Sequence, residues 1–273
     1  MAHILLATDL TPFADRALDR AVLLAGPAGR LDMVYSVSSE LLSSAATAAA
    51  LTEGRAALAR YIADAALPAG LEVVATVQSG EAGTAIVAAA HTSGCALVVL
   101  GAPYADLLVR LFRRSVVNHT VRHAPCPVLV VRGRARQDYR RVLVAIDLSL
   151  PARRALEFAL RFLPGADISM VHARRYGSAA TLPSDNTQMQ LDDLATASLA
   201  RLAAEGLPPP NSITSSIEFG APAEVIVAAT SRLAVDVAVV GTLGLTGASN
   251  LLLGSTAEAL IDALGCDVLA VRP

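Results

Sequence analysis

The sequence predicts an α/β chain of two tandem domains, each a parallel sheet with helices on both faces, and three observations carry that prediction. The opening segment His3-Ile-Leu-Leu-Ala-Thr-Asp9-Leu-Thr11 recurs as Arg141-Val-Leu-Val-Ala-Ile-Asp147-Leu-Ser149, and the match continues from Ala17-Leu18 to Ala155-Leu156. Continuous apolar runs such as Val98-Val99-Leu100 and Val237-Ala238-Val239-Val240 suit strands buried on both faces. Segments with apolar residues at helical spacing alternate with these runs, which calls for parallel pairing through crossover helices. At 273 residues the chain gives each repeat enough length to bury its own core.

In the first repeat, strands are expected over 2–8, 31–37, 72–78, 95–100 and 127–132. The second repeat places them over 141–146, 167–173, 213–219, 235–240 and 267–272. Ala17–Ala25 and Ala152–Leu163 read as the first helix of each repeat. Thr11-Pro12 and Ser149-Leu150-Pro151 supply a capping hydroxyl followed by a first-turn proline. Gly80 and Gly220 punctuate the third strands, Gly265 stands where a left-handed residue would end the last helix, and Pro208–Pro210 forms a rigid turn. The expected division is a first domain over 1–132, a linker over 133–140 and a second domain over 141–273. Arg132, Arg134, Arg136, Arg140 and Arg141 read as a solvated stretch between the halves.

Composition excludes several function classes. Apolar residues make up 54% of the chain and aromatics only 4%, a tightly packed α/β balance rather than a disordered one. Net charge is −2, which lacks the basic footprint of a nucleic-acid binder. Every basic residue other than histidine is arginine, so neither a Walker-type phosphate loop nor Schiff-base chemistry is available. No apolar stretch reaches the length of a membrane span and the amino terminus enters a strand at once, so the expectation is a soluble, cytoplasmic protein. Cys95, Cys126 and Cys266 show neither a C-x-x-C pair nor a metal-ligand spacing and read as buried reduced thiols.

The chemistry concentrates after the run Val235–Val240. Gly241, Gly244, Gly254 and Ser255 form a Gly-x2-Gly-x9-Gly-Ser frame: a strand end, a tight turn, an excursion, and a helix whose first amides lack partners. Such a frame suits phosphate, because glycines let the main chain approach an anion and the helix dipole favours negative charge. A second reading stays open for Ser255-Thr-Ala-Glu258, which is also a capping box. Asp147 is placed either to accept from sugar hydroxyls or to close an Asx turn. His172 ends a strand and reads as a satisfied rim residue, its counterpart being Tyr35. In the first half the frame becomes Gly101, Tyr104, Arg114 and Ser115, with Pro103 removing an amide and Ala96 replacing Asp236. That half keeps the scaffold and loses the cradle, unless Arg113 and Arg114 make a different anion site.

The run Gly241–Glu258, the ending Cys266-Asp-Val-Leu-Ala-Val-Arg272, the opening Val-Ala-Ile-Asp147-Leu-Ser149 and, in the first half, His123-Ala-Pro-Cys-Pro-Val-Leu-Val-Val-Arg132 together resemble the universal stress protein family. The resemblance spans the chain as two copies. It implies Rossmann-like domains of the adenine nucleotide alpha hydrolase type, each a five-stranded parallel sheet of order 3-2-1-4-5. ATP, or ADP or AMP, with Mg2+ as companion cation, is then held at the carboxyl ends of the strands, where open α/β sheets bind ligands. By matching positions, Ala145, Ile146, Asp147 and Ala173 frame adenine and ribose, while Val240, Gly241, Gly244, Gly254, Ser255 and Thr256 line the phosphates. The resemblance further implies pairing of Pro127–Arg132 with Asp267–Arg272 as an intramolecular pseudo-dimer, beside a homodimer and protein partners of unknown kind.

Leu243 and Leu245 stand where relatives place polar residues, so the loop offers amides without charge. Arg174 and Arg175 read as surface charge or as a compensating cation. Three functions follow: a nucleotide-responsive stress-response and signalling module, a slow ATPase, or a nucleotide-free interaction protein. The first is the expectation, with no catalytic residue and no protein-held metal.

Overall fold

The computed structural model describes residues 2–12, 14–38, 43–102, 107–175, 185–242 and 253–272. The chain forms two compact units, Met1–Asp138 and Tyr139–Pro273. The first contains β1 (His3–Thr8), α1 (Asp15–Ala25), β2 (Arg30–Val37), α2 (Ser44–Asp64), β3 (Glu72–Ser79), α3 (Ala82–Ser93), β4 (Leu97–Gly101), α4 (Leu107–His123) and β5 (Val128–Val131). The second repeats the order with β6 (Arg141–Ala145), α5 (Leu150–Phe162), β7 (Asp167–Arg174), α6 (Asp185–Ala204), β8 (Ser212–Phe219), α7 (Pro222–Arg232), β9 (Val237–Gly241), α8 (Ser255–Ala263) and β10 (Asp267–Val271). Within each unit the strands are ordered 3-2-1-4-5: β3-β2-β1-β4-β5 in the first and β8-β7-β6-β9-β10 in the second. The pairings within each unit are parallel.

The central strands are buried as their composition demands. Leu97–Leu100 in β4 and Val237–Val240 in β9 are shielded from solvent on both sheet faces. α1 buries Ala17, Leu18, Ala21 and Ala25, and α5 buries Ala152, Ala155, Leu156, Ala159 and Leu160, so each presents one apolar stripe. Small alanines on those stripes let helix backbone approach the sheet closely.

The helix ends divide the expectations. Ser149 caps α5 by accepting from the Ala152 amide at 3.3 Å, with Pro151 in the first turn. Thr11 does not cap α1: its hydroxyl donates to Asp9 Oδ1 at 2.6 Å, and α1 starts later, after Ala14, with no side-chain cap. Gly80 and Gly220 turn the chain with φ of 123° and 150°. Gly265 takes no left-handed conformation, because α8 instead ends through extended Leu264, whose amide bonds the Leu260 carbonyl.

The segment between the repeats is more than solvated charge. Arg16 and Arg20 donate to the carbonyls of Arg132 and Gln137, each at 2.9 Å. Tyr139 is buried and its hydroxyl donates to Asp267 Oδ2 at 2.5 Å.

α3 is capped by Glu81, whose carboxylate accepts from the Gly83 amide at 2.9 Å and the Thr84 amide at 2.7 Å. Burial opposes ionisation there, but these bonds and the Thr84 hydroxyl outweigh it and hold the carboxyl below its usual range. A carboxyl depressed in the folded state stabilises fully above its unfolded pKa of about 4.3, and the contribution fades as pH falls through the lower folded value. Glu81→Ala is therefore expected to destabilise the first unit by about 1 kcal/mol at neutral pH. The difference from wild type should shrink in urea melts run below the folded-state pKa. The second unit has Ala221 at this position and no side-chain cap.

Candidate functional site

In the second unit β6 ends at Ala145, which pairs with Val240 near the end of β9. Strand order reverses at β6, so the chain departs from the two neighbours in opposite directions and leaves a crevice beyond their carboxyl ends. A cleft of about 210 Å³ occupies this place. Ala145, Ile146, Asp147, Ala173, Val240, Gly241, Gly254, Ser255 and Thr256 all line it, so nine of the ten residues singled out in the sequence come together. Gly244, with Leu243 and Leu245, lies outside the described residues. Val171, Pro222, Ile226 and Leu260 add an apolar wall that the sequence motif did not mark. Pro222 and Ile226 share one face at the start of α7, and only their position after a strand-ending glycine could have pointed to them.

One side of the cleft offers a carboxylate and an open peptide. Asp147 Oδ1 accepts from the Ser149 amide at 3.0 Å, closing the Asx turn, while its second oxygen has no partner among the described residues. Both readings of Asp147 are thus compatible. Leu148 between them has φ of 63°, a left-handed conformation costing a non-glycine residue about 1–2 kcal/mol. Its repeat counterpart Leu10 has φ of 59°, so both units hold this strained turn beside the strand end.

β7 runs past the end of β6. The Val171 carbonyl accepts from the Ile146 amide, and the Arg174 carbonyl accepts from Gly220 on the other side. Successive residues of a strand aim their peptide groups to alternate neighbours. The Ala173 N–H and C=O therefore face the side that β6 has vacated, presenting a donor and an acceptor to the cleft. His172 Nδ1 donates to the Ile146 carbonyl at 2.7 Å, which fixes that nitrogen as the protonated one and makes His172 a satisfied rim residue.

The opposite side is the start of α8. Its N-cap is Gly254 rather than Ser255, with no side-chain cap, so the capping box does not form. The Gly254 amide donates to the Thr242 carbonyl at 2.8 Å, tying the helix to the end of β9. The amides of Ser255, Thr256 and Ala257 have no carbonyl one turn back, and the helix dipole adds partial positive charge at the same point. Anions bind such ends.

Gly241 is a glycine for a reason the sequence hid. A β-carbon there would lie 3.0 Å from the Pro151 carbonyl carbon and 3.1 Å from the Ala152 nitrogen, so the first turn of α5 packs against it. Arg174 also departs from expectation. It is buried, lies outside the cleft lining, and its guanidinium sits 5.9 Å from the Phe219 ring centroid, making it a packing cation and not surface charge. Arg175 is exposed.

The first unit has a cleft of about 160 Å³ at the matching place, lined by Thr8, Asp9 and otherwise Ala7, Ala14, Ala82, Ile86, Leu100, Gly101, Val116 and Val117. Ser115, the counterpart of Ser255, lies inside α4, which begins at Leu107. Its amide has a helical acceptor one turn back, so the cleft meets valine side chains where the second unit offers open amides. Asp9 Oδ1 accepts from both the amide and hydroxyl of Thr11. Pro103 and Tyr104, and the side chains of Arg113 and Arg114, lie outside the described residues.

The model of the universal stress protein family matches residues 1–132 and 138–272, both repeats in turn. The chain belongs to the universal stress protein family. It is a tandem member, 29% identical over 232 residues to Universal stress protein E of Escherichia coli K12, a match covering 79% of this chain and 72% of that protein. Universal stress protein E of Salmonella typhi is 30% identical over 171 residues, covering 57% of this chain and 54% of that one. Among solved structures, a universal stress protein from Archaeoglobus fulgidus DSM 4304 superposes with a TM-score of 0.71 at 21% identity, covering 99% of this chain and 96% of that one. A functionally unknown protein from Pseudomonas aeruginosa PAO1 gives 0.62 at 21% identity, covering 100% and 93%. At these identities the structures establish the shared fold. Among the described residues, no helix of this universal stress protein is long and apolar enough to cross a membrane, and no group of three or more His, Cys, Asp or Glu is placed to hold a metal ion.

Proposed function

We propose that this universal stress protein binds an adenine nucleotide, ATP or its di- or monophosphate, in the cleft of the second unit, and acts as a stress-response binding and signalling module. The observation that carries this reading is the pairing of unlike surfaces across one cleft: the open amides of α8 against the free oxygen of Asp147 and the open peptide of Ala173. Adenine presents a donor beside an acceptor on one edge, which complements a peptide N–H and C=O. Ribose hydroxyls suit the Asp147 carboxylate, and phosphates suit the amides of Ser255 and Thr256. The wall formed by Val171, Pro222 and Ile226 gives the base an apolar surface.

Asp147 is the sole carboxylate among the described lining residues. A magnesium ion arriving with ATP would therefore take most of its oxygens from phosphate and water, as that ion commonly does. Among the described lining residues no second acidic group stands ready as general base, which favours binding over hydrolysis.

Calorimetric titration of the full chain with ATP and magnesium is expected to give one bound nucleotide per chain. Two per chain would overturn the assignment to the second unit alone, and no heat with any adenine nucleotide would overturn the function.

A further inference from the structure

At the amino-terminal edge of the first unit's sheet, opposite its cleft, Cys95 precedes β4 and Cys126 precedes β5. Because these strands are neighbours, the two thiols meet with their sulfurs 3.6 Å apart. Cys95 is buried and Cys126 half-buried, and neither is in a disulfide. A disulfide needs about 2.05 Å, so side-chain rotation has only a short gap to close. His3 and Asp32 stand nearby, joined by a hydrogen bond of 2.9 Å. The second unit supplies an internal comparison: Cys266 occupies the place of Cys126, but Val235 occupies that of Cys95.

We propose that Cys95 and Cys126 form a reversible dithiol–disulfide couple, a redox modification site of the first unit that takes hydroperoxides as oxidant. The hydrogen bond with Cys126 holds the Cys95 thiol down at about 7 against the opposing effect of burial; the Ser93 hydroxyl and His3 act in the same direction, and the Asp32 carboxylate acts against them. Sharing its proton with Cys95 raises Cys126, as does its own burial. Within the proposed couple Cys95 is assigned the attacking role and Cys126 the resolving one, an order that trapping of the sulfenic acid reads out.

The Cys95 thiolate attacks one oxygen of the hydroperoxide. An S–O bond forms, the O–O bond breaks, and the departing oxygen takes a proton and leaves as water or an alcohol. The Cys126 sulfur then attacks the Cys95 sulfenic acid. An S–S bond forms, the S–O bond breaks, and the hydroxide leaves as water with the Cys126 proton. The sulfur pair has lost two electrons and the peroxide has gained two. A small thiol reverses the change by exchange, becoming a disulfide itself. The crosslink ties the start of β4 to the start of β5, at the end of that unit's sheet away from its own cleft.

The test treats the full chain with hydrogen peroxide, blocks remaining thiols by alkylation, and maps the peptides by mass spectrometry. The expected product is a chain lighter by two hydrogens, with one intramolecular peptide pair joining Cys95 to Cys126. Cys266 should be recovered alkylated, and dithiothreitol added before the alkylation should return Cys95 and Cys126 to alkylatable thiols. Cys95 and Cys126 should be consumed together as the crosslink forms, ahead of Cys266, because only that pair has a second sulfur at hand to trap the sulfenic acid. In Cys126→Ser, a sulfenic acid trapped on Cys95 by dimedone is expected, with no crosslink. The proposal is overturned if all three cysteines react at one rate, if crosslinks join separate chains, or if wild type yields no Cys95–Cys126 peptide. Because the wild-type peptide map needs no variant, it decides the matter even if Cys126→Ser folds poorly.

Discussion

Gly254→Asp is expected to abolish nucleotide binding while leaving the second unit as stable as before, or slightly more so. Gly254 has φ of −60° and ψ of 139°, an ordinary extended conformation open to any residue. It is the N-cap of α8, and aspartate is among the best capping residues, exceeding glycine by a few tenths of a kcal/mol. Its carboxylate would accept from the Ser255–Ala257 amides and neutralise the helix dipole, which are the groups proposed to hold phosphate. The anion then loses its donors and meets a fixed negative charge. Together these amount to about 3 kcal/mol, roughly a hundredfold or more in Kd. Thermal melts should show an unchanged or raised Tm, and calorimetry with ATP should show no binding. Retained affinity would mean that phosphate is held elsewhere, and a large drop in Tm would mean that Gly254 serves the fold.

The contrast between the two units explains why this part of the site is legible in the sequence and other parts are not. Strand positions can be read closely because continuous valine and leucine runs have few places to go except a doubly covered sheet. Asp147, Gly254 and Ser255 can be read because their spacing after a strand describes a local turn and helix start. What the motif does not reveal is what fills space. Gly241 is required by the first turn of α5, a segment some ninety residues earlier in the chain. Arg174 has the pattern of surface charge, yet it pairs in register with Phe219 and lies buried against that ring. Cys95 and Cys126 have no telling spacing and meet only because β4 and β5 start side by side.

The first unit's altered helix is within reach of the sequence. With Gly244 and Gly254 replaced by Tyr104 and Arg114, the stretch Leu-Leu-Val-Arg-Leu-Phe-Arg-Arg before Ser115 carries no helix breaker. α4 accordingly spans 17 residues where α8 spans 9. Losing the glycines therefore did more than crowd an anion: it let the helix grow back through the position at which its amides would have been open.

Asp236→Ala is expected to give the opposite pattern from Gly254→Asp: a marked loss of stability with nucleotide affinity unchanged. The presence of Ala96 at the matching place in the first unit suggests from sequence that Asp236 belongs to the cradle, and the structure corrects this. Asp236 stands before β9 begins, at the end of the sheet remote from the cleft. There Oδ2 accepts from the Arg140 amide at 2.9 Å and the Arg141 amide at 2.8 Å, and Oδ1 lies 3.5 Å from the Arg141 guanidinium. The carboxylate thus anchors the first peptide groups of β6, the central strand of its unit. The Arg141 contact is half-exposed and contributes little, so the loss falls mainly on two charge-assisted bonds to backbone. Both bonds are exposed, so without them the two amides turn to water, a cost of about 1–2 kcal/mol. For a unit of this size that corresponds to a fall in Tm of roughly 3–8 °C. Gly241 lies at the far end of β9, about 16 Å away at strand rise, beyond the range at which separate sites usually couple. Calorimetry well below the lowered Tm should therefore return the wild-type Kd within about twofold, since such a site contributes only through folding. A change in Kd beyond that range would place Asp236 in the nucleotide site after all.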